Sequence, residues 1–144
     1  MADSLHVVCP SCESINRLPT VKLGDRPSCG RCKKALFDGH PVELTAGNFQ
    51  RHISSNEIPV LVDFWAPWCG PCRMMAPQYE QAAARLEPRF RVAKLNTEDA
   101  QQIGAQLSIR SIPTLAVFRG GREVARQAGA MNAAGIVAWA ESHA

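Results

Sequence analysis

No stretch of this sequence approaches the eighteen or more apolar residues that a bilayer-crossing helix requires, which excludes a membrane-spanning helix as a reading. Charge of one sign is also lacking. Sixteen Lys and Arg against 13 Asp and Glu leave a net charge of +3, too small to call for nucleic acid or an anionic membrane. The single local basic run, Arg31, Lys33 and Lys34, is shorter than nucleic-acid-binding tracts and reads as solvated surface. A G-x-G-x-x-G fingerprint is missing, so no bound nucleotide or flavin is expected. The first four residues carry an acid and no Lys or Arg, and the apolar stretch through Val8 stops at Cys9. That is not the pattern of an export signal, and the expected location is cytoplasmic. Internal repeats and low-complexity tracts are absent as well.

Cysteine, by contrast, is plentiful. The six cysteines form three pairs with two residues between partners: Cys9/Cys12, Cys29/Cys32 and Cys69/Cys72. In a reducing compartment such residues read as metal ligands or catalytic thiols rather than as a disulfide framework. The first two pairs lie in a segment rich in turn formers, and composition shifts at Asp38-Gly39-His40-Pro41. Residues 1–40 therefore read as a small metal module and residues 41–144 as a second domain. Cys9, Cys12, Cys29 and Cys32 follow C-x2-C-x16-C-x2-C, a four-thiolate spacing. Four soft thiolates favour one tetrahedral, structural Zn2+ with no open position for catalysis. About forty residues bury little apolar surface, so the metal would supply folding energy. Iron, or a thiol switch, is the alternative. Gly30 is expected to provide the backbone freedom of the second turn. His6 and His40 read as ordinary surface and linker histidines.

The second domain is patterned α/β. Residues 43–55 read as a short strand or turn leading into a helix capped by Thr45 or Asn48. Residues 58–65 are nearly continuous apolar sequence, as in a strand buried on both faces. A helix over 72–86 with Pro77 inside, a strand over 90–96 and an acid-opened helix over 98–107 follow. Strands 114–119 and 123–127 flank Gly120-Gly121 as a hairpin. Asn132 caps a last helix, whose Ile136, Val137 and Trp139 face inward. This order implies a mixed sheet with helices on both faces.

Trp68-Cys69-Gly70-Pro71-Cys72 falls between the apolar strand and the long helix. A strand–turn–helix junction aims Cys69 at unpaired N–H groups and the positive end of the helix dipole, which favours thiolate over thiol. Pro71 suits the first turn, and two intervening residues let Cys72 close a disulfide. Half of a metal site is the competing reading of this pair. Asp63 interrupts the apolar strand; a buried carboxylate without a partner tends to stay protonated near neutral pH and can accept a proton from Cys72. Lys94, on the neighbouring strand, offers either an ion-pair partner or a group that tunes Asp63. Ile112-Pro113-Thr114 places a proline at the start of a strand, where sequence alone does not decide between cis and trans.

Residues 43–144 resemble a thioredoxin along their whole length. The likeness is carried by Val62-Asp63-Phe64-Trp65-Ala66-Pro67-Trp68-Cys69-Gly70-Pro71-Cys72, Val92-Ala93-Lys94-Leu95-Asn96, Ile109-Arg110-Ser111-Ile112-Pro113-Thr114 and Gly129. It implies a thioredoxin fold, with Cys69 as attacking thiol, Cys72 as resolving thiol and Asp63, assisted by Lys94, as buried proton acceptor. It further implies that Pro113 is cis. Trp68, Ile112, Pro113 and Gly129, beside Gly70 and Pro71, would form an apolar collar that receives a client backbone. The amino-terminal module resembles the zinc-containing bacterial thioredoxin 2 type through its cysteine pairs, Ile15-Asn16-Arg17-Leu18-Pro19 and Leu36-Phe37-Asp38-Gly39. The implied partners of such a monomer are disulfide-containing client proteins and an NADPH-dependent thioredoxin reductase. Competing readings are an oxidase or isomerase on the same fold, and a zinc-dependent binding module or redox switch on a thioredoxin platform.

Overall fold

The computed structural model describes residues 3–144; Met1 and Ala2 lie outside the described residues. Two sheets are present among them. β1 (Ser4–Val8) and β2 (Ile15–Pro19) form an antiparallel pair. The larger sheet contains β3 (Val42–Leu44), β4 (Val60–Trp65), β5 (Arg91–Asn96), β6 (Thr114–Arg119) and β7 (Arg122–Ala128) in the order β3-β5-β4-β6-β7. β3, β5 and β4 run parallel, and β6 and β7 complete the sheet antiparallel. Its helices are α1 (Phe49–Ser55), α2 (Gly70–Leu86), α3 (Gln101–Gln106) and α4 (Ala133–Glu141).

β4 is central because it is apolar on both sides of the pleat. Val60, Val62 and Phe64 pack with Phe49 and Ile53 of α1 and with Ile103 of α3. Leu61 points the other way, among Met75, Tyr79 and Leu86 of α2 and Ile136 of α4. The two-residue period of a strand puts Asp63 on the same face as Leu61, beneath α2. Lys94 likewise shares the face of Val92, and it stands opposite Asp63 in the parallel register of β4 and β5. α2 buries Cys72, Met75, Tyr79, Ala82, Ala83 and Leu86, the three-and-four spacing of an amphipathic helix. It runs through Pro77, whose missing N–H leaves the carbonyl of Arg73 without its helical donor.

Three local expectations need correction. Asn48 precedes α1 but does not cap it with its side chain. Its Oδ1 instead accepts from Thr45 N at 2.7 Å, while Thr45 Oγ1 accepts from the amides of Gly47 and Asn48. The helix expected over 98–107 shortens to α3, and Glu98 and Asp99 lie in the preceding turn. Asn96 builds that turn: its Oδ1 accepts from Glu98 N at 3.0 Å and its amide donates to Asp99. Of the inward-facing set on α4, Ile136 is fully buried, whereas Val137 and Trp139 are only partly so.

Asn132 does cap α4, accepting from Gly135 N at 2.8 Å. The β6–β7 hairpin turns on Gly120 and Gly121, with φ of 58° and 82°. Positive φ at both central residues is the two-residue turn geometry that glycine serves at no steric cost. Gly121→Ala should therefore lower the stability of the folded chain by about 1–2 kcal/mol, the cost of a Cβ in this region. Urea unfolding measures it; an unchanged midpoint would refute the turn assignment.

Candidate active site and metal centre

Cys69 occupies the cap position of α2 and is disulfide-bonded to Cys72. The amide of Cys72 donates to Cys69 Sγ at 3.2 Å, so an unpaired helix N–H already points at the sulfur. The dipole of α2 adds positive potential at the same place. Both cysteines are nearly covered, at 5% and 3% exposure, while Trp68 beside them is 67% exposed. An accessible apolar ring thus flanks a sulfur reachable only along a narrow approach.

The Ile112–Pro113 bond is cis, as the resemblance implied. Cys69 Sγ lies 3.6 Å from the Ile112 carbonyl oxygen, which brings the cysteine loop and the proline loop together. Gly129, with φ of 99°, donates its amide to the Pro113 carbonyl at 2.9 Å and ties β7 to that loop. A groove of about 360 Å³ opens next to the pair. Trp68 and Ile112 line it, and its far wall is Gln101, Gly104 and Ala105 of α3 with Arg110. Pro113 is buried, and neither it nor Gly129 lines the groove. The α3 wall was missed from sequence because polar Gln101 and small Gly104 and Ala105 carry no motif signal.

Asp63 is 4% exposed, and its Oδ1 accepts no hydrogen bond among the described residues. Burial raises its pKa from 3.8 to about 7, against a smaller opposing pull from Lys94. Lys94 is not its close ion-pair partner. The Lys94 ammonium lies 3.7 Å from Glu43 and 4.4 Å over the Trp65 ring, so it acts on Asp63 only at a distance. Asp63 therefore changes charge near neutral pH, the range useful to a proton acceptor.

In the amino-terminal module, the four Sγ atoms of Cys9, Cys12, Cys29 and Cys32 lie within 4.8 Å of one another. Cys9–Cys32 and Cys12–Cys29 are each 3.6 Å apart. Tetrahedral zinc at about 2.3 Å from each sulfur separates ligands by about 3.8 Å, so the cluster fits. At Cys29 the cradle favours the thiolate. Cys29 Sγ accepts from the amides of Arg31 and Cys32 and from the Asn16 side chain, and these donors hold its pKa down to about 5. Burial pushes Cys9 up to about 11 in the absence of a cation, the charge a bound metal would neutralise.

Gly30 is not the strained position of its turn. Left-handed φ falls on Glu13 (66°) and Lys33 (69°), each directly after the second cysteine of a pair. Both turns share this geometry, and Gly30 instead donates its amide to Asn16 Oδ1 at 2.9 Å. His6 and His40 stand apart from the sulfurs, paired with Glu57 and Glu80.

A cysteine pair at the amino end of a helix, over a mixed five-stranded sheet and facing a cis-proline loop, defines a thiol–disulfide oxidoreductase. Comparison with known proteins agrees. Residues 40–142 match the family model described as Thioredoxin, and residues 8–34 match the zinc-ribbon model described as Thioredoxin 2, N-terminal. The chain is 44% identical to Thioredoxin C-3 of Corynebacterium nephridii over 133 residues, covering 92% of this chain and 91% of that protein. It is 46% identical to Thioredoxin 1 of a Nostoc species over 89 residues, covering 62% of this chain and 83% of the relative. The thioredoxin of Haemophilus influenzae is 40% identical over 90 residues, covering 62% and 84%. The chain belongs to the thioredoxin family, with an amino-terminal zinc ribbon.

Proposed function

We propose that the protein is a reductase of client-protein disulfides, in which Cys69 attacks and Cys72 resolves. The observation that carries this reading is the position of Cys69 Sγ, against a helix amide on one side and the Ile112 carbonyl on the other. A client segment lies along Trp68 and Ile112, above the loop that buried cis-Pro113 shapes, with Gly70, Pro71 and Gly129 leaving backbone room nearby. The Cys69 thiolate forms a bond to one client sulfur, and the client S–S bond breaks with release of a thiolate that takes up a proton. Cys72 then gives its proton to Asp63 and attacks Cys69 Sγ, expelling the second client thiol. Lys94 tunes that acceptor. Two electrons have passed to the client and the Cys69–Cys72 disulfide remains. A thioredoxin reductase drawing on NADPH restores the dithiol.

Cys9, Cys12, Cys29 and Cys32 hold one structural zinc ion, whose chemistry is to cross-link the two turns and supply folding energy to residues 1–40. A reducing cytoplasm suits both halves, since it keeps the four ligand thiols unpaired. The full chain should reduce insulin disulfides when supplied with NADPH and a bacterial thioredoxin reductase, read as insulin precipitation and NADPH consumption. Failure in that assay would count against the reductase reading, and a reduction potential near the strongly oxidising value of about −120 mV would replace the reductase with an oxidase.

A further inference from the structure

Arg91 opens β5 and is 1% exposed, although nothing in the redox chemistry uses it. Its Nη2 donates to the carbonyls of Val8 at 3.1 Å and Leu36 at 2.8 Å, and its Nη1 donates to Glu87 Oε2 at 3.1 Å. The guanidinium also sits 4.4 Å over the Phe37 ring. Val8 immediately precedes Cys9. Leu36 ends the turn containing Cys29 and Cys32, where its own amide donates to Pro27 O at 3.0 Å. One planar fork from the thioredoxin sheet thus grips the chain entering the first cysteine pair and the chain leaving the second. Glu87 lies buried beside it and also accepts from the Gly39 amide at 3.1 Å, so the link between the modules is pinned at the same point.

Neighbouring contacts act in the same sense. Asn56 Oδ1 accepts from Val8 N at 2.8 Å. Glu13, the left-handed residue after Cys12, receives the Asn48 amide and the His52 ring on its carboxylate and Arg51 on its carbonyl. The first cysteine turn is therefore set from α1 and its flanks, and among the described residues Arg91 is the one side chain of the second domain that hydrogen-bonds both arms. It pairs in register with Val60, at the opposite end of β4 from the strand end that leads to Cys69.

We propose that Arg91 is a positioning residue of the metal centre: the thioredoxin domain, through this side chain, holds the two cysteine-bearing arms at ligand spacing. The inference rests on the zinc reading above. Binding to the four thiolates and docking of the arms on Arg91 favour the same folded arrangement, so each stabilises the other. Arginine suits the role because its fixed fork serves two carbonyls and a carboxylate at once, which a lysine ammonium does not.

The test is zinc release from the full chain into excess chelator, followed with a chromogenic indicator. Arg91→Met and Arg91→Lys are compared with wild type and with Leu61→Ala, a cavity variant in the same sheet that leaves both arms untouched. Arg91→Lys retains a charge beside Glu87 and serves if Arg91→Met does not fold. Release at least tenfold faster from the Arg91 variants is expected, with Leu61→Ala close to wild type and an unchanged Cys69–Cys72 reduction potential in all. Equal release from wild type and Arg91 variants overturns the inference and leaves the zinc reading standing. Equal acceleration in Leu61→Ala also overturns it, because any loss of stability would then suffice. A wild-type chain that carries no zinc defeats the zinc reading itself and this inference with it.

Discussion

Cys69→Ser is expected to abolish client reduction, whereas Cys72→Ser should leave the chain covalently attached to its client. The two thiols are three residues apart on one turn, yet the fold treats them differently. Cys69 sits at the cap of α2, with the Cys72 amide donating to its sulfur and a groove beside it. Cys72 lies within the first turn on the buried face of the helix. Serine at 69 removes the nucleophile altogether, since a hydroxyl does not ionise near neutral pH, and the rate should drop on the order of a thousandfold or more. Serine at 72 leaves the attacking thiolate intact, so the first exchange proceeds and the second has no sulfur to perform it. Mass spectrometry after mixing with an oxidised client should find the adduct with Cys72→Ser and not with Cys69→Ser. The reverse pattern would exchange the two roles, and full turnover in Cys69→Ser would remove the pair from the mechanism.

The pair was legible in the sequence because its signals are local. The apolar run of β4, the Trp-Cys-Gly-Pro-Cys junction and the Asn132 cap each follow from neighbours along the chain. The four-cysteine cluster was legible through spacing alone. Features decided by distant partners were not. Lys94 faces Asp63 in register, but Glu43 and the Trp65 ring lie closer to its ammonium than any ion pair to Asp63. Asn48 and the acids at 98 and 99 looked like helix openers, but the Asn48 side chain accepts from the Thr45 amide instead, and the Asn96 side chain ties the Glu98 amide and the Asp99 carboxylate into a turn. Arg91, inside the strand read over 90–96, carries no signal of its own in the sequence, because only the folded module supplies the carbonyls that make its burial tolerable. The left-handed residues of the cysteine turns, Glu13 and Lys33, were hidden because the eye goes to Gly30.

Asp63→Asn should stabilise the oxidised protein and slow it as an enzyme. Burial raises the Asp63 carboxyl in the folded chain to about 7, against 3.8 for the unperturbed group. The folded state therefore holds the proton more tightly than the unfolded state. Well below pH 3.8 both states are protonated and nothing is lost. As pH rises from there through 7, the unfolded carboxyl ionises first, and folding loses free energy until the folded carboxyl ionises too. Above that the deficit is constant. At about 1.4 kcal/mol per unit of pKa difference, it reaches about 4 kcal/mol at pH 8.5 and only about 1 kcal/mol at pH 4.5. Asparagine fills the same space without ionising, so urea midpoints of the variant and wild type should diverge with rising pH by those amounts. The same substitution takes away the acceptor for the Cys72 proton, and the resolving step should slow about a hundredfold, the lower range for a positioned base. Stability and turnover are thus set against each other by one carboxyl group, which stands where a purely structural sheet would place another aliphatic side chain. A stability gain that is independent of pH would mean that Asp63 is ionised or neutral throughout, and its part in proton transfer would fall with it.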